Sequence, residues 1–259
     1  MTQLPVALIT GAARRLGREI ALELAGAGYA LVLHYRNSQE EAMQTASDCR
    51  AAGAPFVHLL QADLSDPHQR CGLIEDAFEL CQRRPITLLV NNASLFEYDR
   101  ANSFSPANLE AHLQSNYLAP VELTMALHKA YCTRGLPESA HVITLLDQKV
   151  FNLNTDYLSY TLAKLASQSS IRMLAQSCAP VLRVNAVAPG VTLLSGDMTP
   201  QKLQKARGIA ALGQSSRAKD VAEAVRMLDA GRRITGQTLV VDGGQHLVPR
   251  GRDVAFMED

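Results

Sequence analysis

Tyr160 and Lys164 stand four residues apart in a stretch of helical character that begins near Asp156 or Tyr157 and runs to about Cys178. Four residues on a helix make one face, with side chains stacked one above the other. An ammonium close to a phenol favours the phenolate and lowers the tyrosine pKa from its reference value near ~10. The spacing therefore predicts a tyrosine able to hand over a proton near neutral pH. Thirteen residues upstream, Asp147 follows the apolar run Val142 to Leu146, which reads as a strand. A carboxylate there faces the same space. Taken alone, Tyr-x-x-x-Lys describes a solvated surface pair equally well, so the surrounding elements decide.

Those elements alternate. Val6 to Thr10 is a short apolar run of the kind found in buried parallel strands, and it ends in Gly11-Ala12-Ala13-Arg14-Arg15-Leu16-Gly17. Arg18 to Ala25 then has helical periodicity. Strand, glycine turn and helix together are the setting of a dinucleotide fingerprint: Gly11 permits the tight turn, Gly17 close packing, and the helix N-terminus offers N–H groups to a pyrophosphate. The next strand, Ala30 to Tyr35, runs into Arg36-Asn37-Ser38. NAD enzymes carry an acidic residue there for the ribose 2′-hydroxyl, whereas an arginine accommodates a 2′-phosphate, so Arg36, with Ser38 and Arg15, selects NADP. Further strands at Phe56 to Leu60, Ile86 to Val90, Val181 to Val187 and Thr238 to Val241 are separated by helices at Ser38 to Ala52, Asp66 to Cys81, Leu109 to Arg134 and Lys219 to Asp229. Alternation throughout predicts a doubly wound, mainly parallel seven-stranded sheet with helices on both faces. Ligands of such sheets bind at the carboxyl ends of the strands, where Gly11, Arg36, Asp63, Asn91 and Asp147 all lie. Within the long helix, Asn116 either kinks the helix or anchors a water near Lys164. Val191 to Gln201 is polar and irregular and reads as a lid over a substrate, followed by a short helix to Arg207.

Composition narrows the class. The 259 residues suit one α/β domain, with a substrate loop at about 191–207 and a tail at 248–259. Lys+Arg 25 balance Asp+Glu 25, which speaks against nucleic acid or an acidic membrane as partner. No apolar run approaches the ~20 residues of a spanning helix. Met1 to Pro5 leads straight into a strand with no basic leader, so a cytoplasmic protein is expected. The five cysteines are scattered, with no Cys-x-x-Cys, and read as reduced thiols; the seven histidines lack metal-ligand spacing, so no metal is expected.

The glycine loop at Thr10–Gly17, Asn91-Asn92-Ala93, Asn116, Tyr160-x-x-x-Lys164, Pro189-Gly190 and Thr235-Gly236 with Asp242-Gly243-Gly244 together resemble the short-chain dehydrogenase/reductase family over essentially the whole chain. The resemblance implies a Rossmann fold, a nicotinamide cofactor and a homotetramer. Two departures refine it. Arg15 stands where the family usually has a third glycine, and Asp147 where it usually has a serine that hydrogen-bonds a substrate carbonyl. A carboxylate would repel the oxyanion formed when a ketone is reduced. Both departures, with Tyr157 three residues before Tyr160, are similar to the pteridine reductase and dihydromonapterin reductase branch.

That resemblance implies NADPH-dependent reduction of a dihydropterin, such as dihydrobiopterin or dihydromonapterin, with dihydrofolate a further candidate. It implies catalytic roles for Asp147, Tyr160, Lys164 and Asn116. Cofactor contacts fall to Gly11, Arg15, Leu16, His34, Tyr35, Arg36, Asn37, Ser38, Asp63 and Leu64 on one side. On the other they fall to Asn91, Ala93, Ser94, Tyr160, Lys164, Pro189, Gly190 and Thr192. Substrate contacts fall to Arg15, Ser94, Phe96, Asp147, Tyr157 and Tyr160, with Phe96 stacking on a flat heterocycle. Arg250 or Arg252 of the tail is expected to reach a neighbouring subunit's site. An ordinary carbonyl or 3-oxoacyl reductase and a non-catalytic NADP-binding sensor remain alternatives.

Overall fold

The computed structural model describes residues 4–136, 139–193 and 199–256. Its centre is a sheet of seven strands: β1 (Val6–Ile9), β2 (Ala30–Tyr35), β3 (Val57–Gln61), β4 (Leu88–Asn91), β5 (Ala140–Leu145), β6 (Leu182–Pro189) and β7 (Thr238–Val241). The spatial order is β3-β2-β1-β4-β5-β6-β7, and all six pairings are parallel. The order reverses between β1 and β4, so their carboxyl ends flank a crevice.

The apolar runs follow from burial on both faces. In β1, Val6 and Leu8 join one core layer while Ala7 and Ile9 join the other. In β5, Val142 and Ile143 divide in the same way. A strand of period two with helices on both sides has no polar face to show.

The helices are α1 (Arg15–Gly26), α2 (Gln39–Ala51), α3 (Pro67–Leu80), α4 (Pro106–Leu113), α5 (Ala119–Arg134), α6 (Leu158–Cys178), α7 (Pro200–Gly208) and α8 (Ala218–Ala230). Asp66 caps α3 through His68 N, with Pro67 in the first turn, as the sequence predicts. The expected Leu109–Arg134 helix instead starts at Pro106 and is interrupted by a π turn, Gln114–Leu118, which joins α4 to α5. Pro120, in the first turn of α5, has no N–H to continue a regular ladder. Strand β6 runs two residues beyond the expected Val187, because Pro189 still pairs with Val241.

At the amino end of the sheet, Asp229 of α8 accepts hydrogen bonds from Tyr29, His141 and Arg183. Asn185 links His141 to the Ile234 carbonyl. That buried network ties α8 to β5 and β6 and leaves the opposite end open. Among the described residues, no helix is long and apolar enough to cross a membrane, and no three His, Cys, Asp or Glu side chains cluster as metal ligands.

A β-carbon on Gly17 would lie 2.6 Å from Asn92 Nδ2 and closer still to the Gly11 carbonyl, whereas one on Gly26 would meet nothing within 4 Å. Gly17→Ala should lower unfolding stability by about 1–3 kcal/mol through forced overpacking, measured by urea denaturation. Gly26→Ala, at the last turn of α1, should be neutral or stabilising by up to ~1 kcal/mol.

Candidate active site

The carboxyl ends of the strands open into a cavity of about 550 Å³. One end is built from the glycine loop. Gly11 holds φ +62°, and a β-carbon there would sit 3.0 Å from Ala93 Cα. Gly11 N donates to His34 Nδ1 at 3.0 Å, and His34 Nε2 meets the Ala62 carbonyl at 3.0 Å. Those two partners fix the neutral tautomer with its proton on Nε2, and burial lowers the imidazole pKa to about 4. His34 lines the cavity, but as a pin between loop and sheet rather than as a cation for phosphate; both ring nitrogens are used internally.

Asn92 Nδ2 donates to the Thr10 and Gly11 carbonyls at 2.9 and 3.0 Å, and Thr10 Oγ1 accepts from Asn92 N and Ala93 N. Asn92 therefore clamps the loop, where the sequence reading selected Asn91. Asn91 points away from the cavity, its amide 3.5 Å from the Pro120 carbonyl. Arg15 holds φ +56°. The left-handed conformation costs a residue with a β-carbon roughly 1–2 kcal/mol, so the backbone here has the shape a glycine would relax into.

Arg14, Arg15, Arg36, Asn37 and Ser38 line the same end. Arg36 is exposed and 4.0 Å from Asp63 Oδ2. Arg14 precedes α1 and Ser38 precedes α2, and neither side chain caps its helix. Amide groups of two helix N-termini and three guanidinium groups thus face one space. This is the donor set that an extended phosphorylated ligand requires, and the β-carbon-free approach at Gly11 lets its backbone come close.

The other end holds the reactive side chains. Asp147 lies two residues beyond the end of β5 and caps a single 3₁₀ turn, its Oδ1 accepting from Lys149 N at 2.8 Å. Its Oδ2 accepts from the Tyr160 hydroxyl at 2.9 Å. Lys164 is buried and donates from Nζ to the Leu145 carbonyl at 2.7 Å, with its ammonium 5.7 Å from the Tyr160 ring centroid. The structure brings together all three residues that the sequence singles out. It corrects the electrostatics. Burial first, then the Asp147 charge and hydrogen bond, push the Tyr160 phenol well above its ordinary value. Burial lowers the Lys164 pKa to about 8, and its ammonium, 5.7 Å from the Tyr160 ring centroid, does not offset these effects. Asp147 touches solvent only through the cavity, and desolvation raises its carboxyl above the usual range despite the hydrogen bonds from Lys149 and Tyr160. In a buried carboxylate–phenol pair each group disfavours ionisation of the other.

Leu16, Tyr35, Leu64, Ala93, Ser94, Phe96, Pro189, Gly190 and Thr192 line the cavity as expected. Besides Asn91, two expected contacts do not. Tyr157 is buried beneath Phe96, the rings stacked at 4.2 Å and 19°, so it backs the aromatic wall instead of facing the cavity. Asn116, buried in the π turn, uses its amide on the β4 loop: Oδ1 accepts from Leu95 N and Ser94 Oγ, and Nδ2 donates to Leu95 O. Its side chain holds that loop. The tail also departs from expectation. It folds against its own chain, where Arg250, Arg252, Asp253 and Val254 join the cavity lining. Of the expected lid, Val191 to Leu193 line the cavity, residues 194–198 lie outside the described residues, and α7 follows. Lys149 and Asp253 were missed. Lys149 lies two residues beyond Asp147 in sequence, a usable signal; Asp253 carried none.

A family model described as enoyl-(acyl carrier protein) reductase matches residues 11–246. The structure of FolM alternative dihydrofolate reductase 1 from Brucella suis, in complex with NADP, is 36% identical in sequence and has a TM-score of 0.86. That match spans 94% of this chain and 95% of the other. Pteridine reductase 1 of Leishmania tarentolae is 30% identical over 94% of this chain and 96% of its own. The 3-oxoacyl-[acyl-carrier-protein] reductase FabG of Staphylococcus aureus is 28% identical over 93% and 98%.

The raised Asp147 pKa has a thermodynamic consequence. The folded state takes up this proton at higher pH than the unfolded chain, so the ionised carboxylate opposes folding above the unfolded value near ~3.9. The cost is complete once pH exceeds the folded pKa. Asp147→Asn should therefore unfold at a higher temperature than the wild type at pH 8, with the gap closing as pH falls toward the unfolded value. A wild type that is more stable at pH 8 would show that the hydrogen bonds to Asp147 outweigh its desolvation.

Proposed function

The chain belongs to the short-chain dehydrogenase/reductase family, and on that premise we propose that it is an NADPH-dependent reductase of a dihydropterin, acting on a ring C=N bond. The observation that carries this reading is the Asp147 carboxyl, 2.9 Å from the Tyr160 hydroxyl, in the place where a carbonyl-reducing site needs neutral donors. In its ionised form, with both oxygens accepting hydrogen bonds, Asp147 opposes a developing oxyanion, and its raised pKa eases uptake of the proton that it would pass on. It suits a substrate with N–H groups and a ring nitrogen that must gain a proton. The Leishmania pteridine reductase and the Brucella alternative dihydrofolate reductase, both similar over nearly the whole chain, support the same substrate class.

The residues divide the work. Gly11 to Gly17 and the N-terminus of α1 would hold the pyrophosphate, with Arg36 and Ser38 at the 2′-phosphate and Lys164 at the nicotinamide ribose. When bound, NADPH supplies the hydride. Tyr160 is raised so far that phenolate is strongly disfavoured, which makes the Asp147 carboxyl the better acid of the pair. The proton for the ring nitrogen then comes from Asp147, with the Tyr160 hydroxyl as donor to substrate or relay. Phe96, braced by Tyr157, offers a flat apolar face to the heterocycle.

A second reading, reduction of a 3-oxoacyl thioester, is favoured by the match to FabG and by the description of the family model. The two readings separate in one assay: NADPH oxidation with a 7,8-dihydropterin, an acetoacetyl thioester and a diketone, side by side. Turnover confined to the pterin is expected, and turnover confined to the carbonyl compounds would overturn the proposal. Tyr160→Phe should lose about 10²–10⁴-fold in kcat while NADPH still binds. Asp147→Ser should reduce pterin turnover sharply, and an unchanged rate would remove Asp147 from the mechanism. Arg36→Ala should raise KM for NADPH by about tenfold or more, leaving NADH nearly unaffected.

A further inference from the structure

The segment from Val248 to Phe256 crosses the cavity beside Asp147, and we propose that it is a latched wall of the substrate pocket, held by two crossed ion pairs and setting substrate affinity. The assignment rests on the reading of this end of the cavity as the substrate end.

The latch begins with a buried cation. Lys149 is only 2% exposed, and its Nζ donates to Asn154 Oδ1 at 2.6 Å and to Asp253 Oδ2 at 2.8 Å. A buried ammonium needs a counter-charge. Among the described residues, Asp253 of the tail is the carboxylate within hydrogen-bond distance. Seven residues along the same loop, Asp156 is fully buried. Its Oδ2 accepts from Arg252 Nε and from Asp253 N, both at 2.8 Å. Its Oδ1 faces Tyr98 Oη at 3.3 Å and Arg100 Nε at 3.5 Å. Consecutive tail residues of opposite sign therefore meet two buried charges of opposite sign on one loop. A slip of one residue would set Asp253 toward Asp156 or Arg252 toward Lys149, so the pairing fixes the register of the tail as well as its position.

The rest of the segment follows that register. Asn152 Nδ2 donates to the Val248 carbonyl at 3.2 Å. Phe256 lies 4.7 Å from Tyr98 and 5.9 Å from Tyr157, with the Arg252 guanidinium 5.3 Å above its ring. Tyr157 in turn backs Phe96. The tail therefore extends the aromatic wall by one ring. It is joined to the catalytic carboxylate by one residue, because Lys149 N donates to Asp147 Oδ1 while its ammonium holds Asp253. Val248, Arg250, Arg252, Asp253 and Val254 line the same cavity as Asp147 and Tyr160. A segment that served stability alone would not have to contribute five residues to that lining.

Asp253→Asn and Asp253→Glu test the latch in the full-length enzyme by two readouts. Hydrogen–deuterium exchange over residues 248–256 reads the docking itself, with no substrate. Steady-state kinetics read its consequence, using whichever compound the wild type turns over in the assay above. Asp253→Asn should speed exchange and raise the substrate KM by about tenfold, with a smaller loss in kcat and KM for NADPH within about twofold. Asp253→Glu, which keeps the charge, should restore most of both. Unchanged exchange in Asp253→Asn would overturn the latch. Faster exchange with unchanged substrate KM would overturn its role in the pocket. Turnover confined to carbonyl compounds would sink the pterin reading alone, since both readouts remain measurable.

Discussion

A buried phenol and a half-buried carboxyl group 2.9 Å apart hold this end of the cavity together. Neither ionises easily in the presence of the other, and both are taken out of water by the fold. The pair forms only because β5 ends two residues before Asp147 while α6 returns Tyr160 to the same place. Lys164, one turn further along α6, is held by the carbonyl of Leu145, the last residue of β5. Strand end and helix are thereby joined at two points within one small volume. Desolvation raises the carboxyl above the usual range, so Asp147 takes up a proton at a higher pH than a solvated aspartate does.

The two ends of the cavity are made by different physics. At the cofactor end, positions are set by backbone. Gly11 approaches Ala93 closely, Asn92 and Thr10 tie the loop to β4, and His34 ties it to β2 through a neutral ring. Arg15 accepts a left-handed conformation to keep the turn and still present a guanidinium. At the substrate end, positions are set by long side chains. Phe96, Tyr157, Tyr98 and Phe256 pack ring on ring, and buried charges at Lys149 and Asp156 are matched by the tail. A backbone-built site suits one invariant ligand. A wall of rings and ion pairs can be altered by single substitutions, which is how one fold comes to serve pterin and oxoacyl substrates in different members.

The cofactor end was largely legible in the residues. The glycine turn between an apolar run and a helix, and Arg36 at the next strand end, depend on local chemistry that the sequence displays directly. Tyr160 and Lys164 were legible for the same reason, as a spacing of four on a helix. The clamp that Asn92 makes on Thr10 and Gly11 was not legible, because it depends on where the turn after β4 meets the glycine loop. Asn116 was singled out, but not its hold on the Ser94–Leu95 loop. Its π turn rotates it toward Leu95, and nothing in the local pattern announces that turn.

The order of elements and the parallel sheet were determined by the sequence alone, since apolar runs of strand length alternating with helical periods leave few ways to bury both faces. So was the choice of Asp147, Tyr160 and Lys164, which the fold brings together. Tertiary structure alone decided their protonation. Proximity to Lys164 suggests an acidified Tyr160, yet burial against Asp147 drives the phenol the other way, and burial is a property of the whole fold. It also decided the placement of the tail. Arg252 and Asp253 are more than ninety residues from Asp156 and Lys149. An ion pair across that separation depends on where the chain returns in space, which no local pattern encodes.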